Sequence, residues 1–172
     1  MRVLLIFLTM IVFSLSAFAA GEGWLNPTDI KTYIPPKNQN TLMMRHAFER
    51  WSRVTKDKIV FVYVNDPEDA DLEIVFDKTA NYHNNDKTLG VTYRKYIEGK
   101  KIVHATVHIA DHTSSGKFLS DDEIFTVMLH EIGHAIGLNH VNDPHAIMNP
   151  YNDVAHEISE SDMQQIREIY GD

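Results

Sequence analysis

The stretch His130–His140, HEIGHAIGLNH, restricts this chain more than any other. His130 and His134 stand at i and i+4, so a helix places both imidazoles on one face. Gly137 is where that helix can end, because glycine enters the left-handed turn that other residues avoid. Such a turn can swing His140 back to the side of the first two histidines. Three neutral imidazoles with a fourth position open describe a catalytic zinc, whereas four protein ligands describe a structural one. Glu131, beside the first histidine, can reach a water on that metal, and a purely structural zinc would have no use for it. A helix that merely carries surface histidines is the other alternative.

Elements around this helix follow from periodicity and caps. Ser120 with Glu123 forms a capping box, which predicts a helix over 121–136 carrying His130 and His134. Ile30, Thr32 and Ile34 alternate ahead of Pro35-Pro36 and predict a strand. Met43, Met44, Ala47, Phe48, Trp51 and Val54 recur at helical spacing, predicting a helix from Asn40 or Thr41 to about residue 54. Trp51 reads there as core. Lys58–Val64 is apolar on both faces and predicts a central buried strand. Leu72–Phe76, Leu89–Tyr96 and Ile102–Ala110 predict three more strands, with Leu89–Tyr96 at an edge. Ser159 caps a last helix over 160–170, closed by Gly171. The order implies an α+β class: a twisted, mixed sheet with an N-terminal helix, an active-site helix and a C-terminal helix.

The first twenty residues, MRVLLIFLTMIVFSLSAFAA, carry a basic start, an apolar run and a small-x-small site at Ala17-Phe18-Ala19. They read as a signal peptide over residues 1–19, leaving 20–172 as one domain. Export to the periplasm or outside the cell is the expectation, with no membrane association after cleavage. The chain has no cysteine, so an exported form must rely on its core and its metal. Its formal charge of −8 excludes a basic nucleic-acid footprint. A monomer is expected.

At HEIGHAIGLNH the chain resembles the metzincin metallopeptidases, whose long zinc motif is HExxHxxGxxH. Met148, in AIMNPY, matches the methionine turn of that family. Pro150 two residues later is similar to the matrixin branch (matrix metalloproteinases), where Met-x-Pro is usual; serralysins and astacins place a tyrosine there. AFERWSRVT, ADLEIVF and ISESDMQQIREIYG also resemble matrixin catalytic-domain segments in the same order. The resemblance implies a mostly parallel sheet and first helix on one side of a cleft, with the methionine turn and last helix on the other.

It also implies a zinc endopeptidase acting on protein or peptide substrates. His130, His134 and His140 would hold the metal. A zinc-bound water would attack the peptide carbonyl, with Glu131 as general base. The edge strand, at Gly90 and Val91, could itself pair with an extended substrate, with an ordinary exposed edge as the alternative. Thr126, Pro150 and Tyr151 would line its pocket, and Asn152 stands where matrixins usually carry a wall tyrosine. Matrixins hold a second, structural zinc and calcium. His83 and His108 are the candidates for a second metal here, although the loop reads His83-x-x-Asp86 where the family has His-x-Asp. Solvent-facing histidines are the alternative at those two positions. For the whole chain, the alternative is a non-catalytic secreted zinc-binding or adhesion domain. Glu131 argues for the enzyme.

Overall fold

The computed structural model describes residues 22–80, 82, 88–97, 100–151 and 157–172. Its strands are β1 (Ile30–Tyr33), β2 (Phe61–Val64), β3 (Leu72–Asp77), β4 (Gly90–Ile97) and β5 (Lys101–Ala110). Its helices are α1 (Thr41–Val54), α2 (Asp121–Ala135) and α3 (Glu160–Tyr170), with a short 3-10 turn at Pro67–Asp69. The sheet runs β2-β1-β3-β5-β4. All neighbours are parallel except β4, which pairs antiparallel with β5. The class is α+β with a mixed sheet, as the element order implies, and the sheet is mostly parallel, as the resemblance implies. No helix among the described residues is long and apolar enough to cross a membrane.

Strand β2 departs from its sequence reading. It lies at an edge of the sheet, not in its centre, and Val62 is 42 % exposed. The apolar run has a local cause on one face only. Phe61 packs against Phe48 of α1, with ring centroids 4.5 Å apart, and the Arg45 guanidinium covers the Tyr63 ring at 4.1 Å. A covered edge strand and a central strand look alike in composition. Strand β4 holds the other edge, where its alternation placed it.

Helix α1 turns Met44, Ala47, Phe48 and Trp51 inward, all buried. The Trp51 indole N–H donates to the Leu129 carbonyl of α2 at 3.0 Å, tying the two helices together. Helix α2 starts on the Ser120–Glu123 capping box, with both arms present. At its other end two aromatic side chains satisfy carbonyls that a helix leaves orphaned. Trp24 Nε1 donates to Ala135 O at 2.9 Å, and the Tyr170 hydroxyl donates to Ile136 O at 2.8 Å.

Gly137 leaves α2 at φ +100°, and a Cβ there would lie 2.4 Å from the backbone oxygen of Glu22. Both the dihedral and the space require glycine. Gly137→Ala is therefore expected to cost at least about 2 kcal/mol, read as a lowered urea midpoint with an unchanged slope.

Candidate active site

Helix α2 presents His130 and His134 on one face, and the Gly137 turn brings His140 to them. The Nε2 atoms of His130 and His134 each lie 3.1 Å from Nε2 of His140. All three ligand-capable atoms fall within 4.8 Å of one another, the only such group of three among the described residues. The remaining ring nitrogens fix the tautomers of the first two. Nδ1 of His130 donates to Ile147 O at 2.7 Å, and Nδ1 of His134 donates to Leu138 O at 3.0 Å. Carbonyls only accept, so Nδ1 carries the proton and each Nε2 offers a lone pair.

Burial keeps these rings neutral. It lowers the pKa of His130 and of His140, and pushes that of His134 down to about 3, with help from the neighbouring imidazole of His130. Three neutral, inward-facing imidazole nitrogens are the donor set that a divalent ion such as zinc takes. The residues present therefore fit that ion.

Glu131 sits beside this cluster with its side chain almost wholly buried. Burial raises its carboxyl to about 7, opposed by a hydrogen bond from Thr92. The Thr92 hydroxyl lies 2.7 Å from Glu131 Oε2 and 3.0 Å from its backbone oxygen. Oε1 accepts no hydrogen bond among the described residues, and no buried side-chain oxygen or nitrogen lacks a partner there. Oε1 is thus left to the open side.

That side is a cavity of about 660 Å³. The three histidines and Glu131 line it together with Gly90, Val91, Thr126, Pro150 and Tyr151, so the structure gathers these positions into one cleft. Thr126 is buried, its hydroxyl donating to Asp122 O at 2.9 Å, and Tyr151 is exposed. Strand β4 forms one rim of the cleft with the edge that has no strand partner among the described residues.

Met148 lies beneath, fully buried, with Sδ where a Cβ on Gly133 would come to 2.3 Å. Glycine at 133 lets the methionine turn approach α2 this closely. His108 is elsewhere: its Nδ1 lies 2.8 Å from Asp77 Oδ2, which also accepts from the Tyr82 hydroxyl at 2.6 Å. The Tyr93 ring packs edge-on against His108 with centroids 5.8 Å apart. His83 and Asn152 lie outside the described residues.

Sequence reasoning missed three participants. Thr92 and Arg94 reach α2 from β4, with Arg94 Nη1 donating to His134 O at 3.2 Å. Asp162 of α3 is fully buried and accepts from the backbone N–H of Ile147 at 2.9 Å and of Met148 at 3.0 Å. It also accepts from the N–H and hydroxyl of Ser159, each at 2.8 Å, as the second arm of a capping box. An aspartate three residues after a capping serine was a readable signal for the box, though not for the contact with the methionine turn.

Comparison with known proteins matches residues 28–171 to the family model described as matrixin. The chain is 33 % identical over 150 residues to macrophage metalloelastase of Oryctolagus cuniculus, covering 83 % of this chain and 32 % of that protein. It is 30 % identical over 142 residues to matrix metalloproteinase-16 of Homo sapiens, covering 74 % of this chain and 23 % of that protein. Matrix metalloproteinase-25 of Homo sapiens is 24 % identical over 143 residues, covering 76 % and 25 % respectively. The chain thus spans only 23 to 32 % of the length of these curated relatives.

Proposed function

The chain belongs to the matrixin family, and from that premise we propose that it is a zinc-dependent endopeptidase acting on extended polypeptides. The observation that carries this reading is the convergence of three imidazole Nε2 atoms beside the Glu131 carboxylate on one cavity wall. His130, His134 and His140 would hold the zinc, their rings already oriented by the Ile147 and Leu138 carbonyls in two of three cases. Zinc, when bound, supplies Lewis acidity and lowers the pKa of a water to about 7.

Glu131 moves the proton. Its carboxylate takes one from the water that attacks the scissile carbonyl and returns it to the departing amine nitrogen. Burial supports this role, since a carboxyl raised toward neutrality is a stronger base than an exposed one. The edge of β4 at Gly90 and Val91, without a strand partner among the described residues, supports strand addition by the substrate backbone. Thr126, Pro150 and Tyr151 then form the wall that a substrate side chain meets.

The names of the relatives, metalloproteinase and metalloelastase, favour a protein substrate. Residues 1–19 act as a signal peptide in this reading, so the enzyme works outside the cytoplasm, with 20–172 as its catalytic domain.

The test is a quenched-fluorescence peptide library incubated with the protein freed of residues 1–19. Cleavage is expected, lost on chelation and restored by an equivalent of zinc. Protein that binds zinc but cleaves no peptide would support the non-catalytic binding domain instead.

A further inference from the structure

We propose that Thr92 is the positioning residue of the Glu131 carboxylate, an inference that rests on the peptidase reading. A glutamate side chain has three torsions, and a base is useful only when its oxygen is held toward the proton it takes. In this cleft Glu131 is held from β4. Thr92 Oγ lies 2.7 Å from Oε2 and 3.0 Å from the backbone oxygen of the same glutamate, so one hydroxyl spans its side chain and its main chain. A hydrogen bond to a carboxylate is the stronger of the two. Threonine suits the task because its branched Cβ restricts χ1.

The strand around Thr92 is built to the same purpose. Gly90, Thr92 and Arg94 fall on one face of β4. Gly90 gives the carboxylate its space, since a Cβ there would lie 2.6 Å from Glu131 Cγ and 2.9 Å from Oε1. Arg94 fixes the far side by donating to His134 O at 3.2 Å. Register with β5 is regular from Gly90 to Lys95, and the irregularity falls only between Lys95 and Tyr96. Glu131 is therefore seated in a notch whose floor is a glycine and whose clamp is a hydroxyl. Oε2 is committed to the clamp, and Oε1 is the oxygen available in the cavity.

Thr92→Val keeps the shape and removes the hydroxyl, while Thr92→Ser keeps the hydroxyl. T92V is expected to lower kcat about 10- to 100-fold with KM within about twofold, and T92S to stay within about threefold of the parent. On a Glu131→Gln background, T92V should cost less than about twofold more, because the clamp then has no base to hold. Activity is not the only readout. In metal-free protein labelled with 13C at the glutamate carboxyl carbons, the Glu131 resonance should move in T92V and stay in T92S.

An unchanged kcat in T92V, a T92S variant no better than T92V, a loss confined to KM, or a fully additive loss on E131Q would each overturn the proposal. A parent protein that cleaves no peptide, with the carboxyl resonance still moving in T92V, would overturn the peptidase reading and leave the clamp standing. A resonance that stays in T92V would overturn the clamp whatever the activity.

Discussion

Glu131→Gln is expected to lower kcat/KM by at least ~10²-fold while the protein remains folded and still binds zinc. Glutamine has nearly the same shape, and its carbonyl oxygen can still accept from Thr92, but its amide cannot take up a proton. The seat around Gly90 and Val127 is unchanged by the swap. Stability should move the opposite way in metal-free protein. Burial raises the Glu131 carboxyl from 4.5 to about 7. A carboxylate with a raised folded pKa costs stability as pH climbs from the unfolded value, and the cost is complete above the folded one. The variant should therefore gain on the order of 3 kcal/mol over the parent at pH 8, with the gap closing toward pH 5. Urea midpoints at the two pH values, measured beside peptide turnover, check both halves. Equal turnover in the two proteins would remove Glu131 from the chemistry.

Asp162→Ala should produce the largest structural loss. Its carboxylate is fully buried and serves the N–H groups of Ile147, Met148 and Ser159 together with the Ser159 hydroxyl. Alanine leaves the two buried donors of Ile147 and Met148 without an acceptor, at about 1–3 kcal/mol each before relaxation, and takes the cap from the half-buried Ser159 N–H as well. A net loss of roughly 3–5 kcal/mol is expected from urea unfolding, a large share of the stability of a domain this size. The effect should also reach the metal. The peptide group whose carbonyl, that of Ile147, accepts from His130 Nδ1 donates to Asp162 through its N–H, that of Met148. Once that peptide loosens, the His130 ring loses its orientation, and zinc affinity should fall about 10- to 100-fold in a chelator competition. Asp162→Asn, which retains one acceptor oxygen, should fall between parent and alanine on both readouts.

What was legible in the sequence is what short range decides. The i, i+4 histidines, the Ser120–Glu123 box and the glycine at 137 each act within a few residues, and the structure puts each element where that chemistry requires. Strand periods placed all five strands and identified β4 as an edge. Strand β2 has β1 as its one neighbouring strand among those described, and its apolar residues answer to α1 packed over its face, which composition alone does not separate from a second strand. Thr92 and Asp162 meet their partners across long separations, Thr92 to Glu131 by 39 residues and Asp162 to Ile147 by 15. A threonine in a strand and an aspartate in a first helical turn each have an ordinary local explanation. Only the assembled cleft shows their second use.

The two halves of this site have different origins in the chain, and they should therefore come apart separately. The three imidazoles belong to one short stretch, and Leu138 within it orients His134. The clamp on the carboxylate arrives on an edge strand that is secured to the sheet on one side only. Sub-global opening starts at such margins. When β4 lifts, the carboxylate loses its hold while the metal cage stays closed, so a heated or mildly denatured population would keep its ion and lose its chemistry. A bound ion is then a record of an intact helix and turn, and turnover is a record of an intact margin.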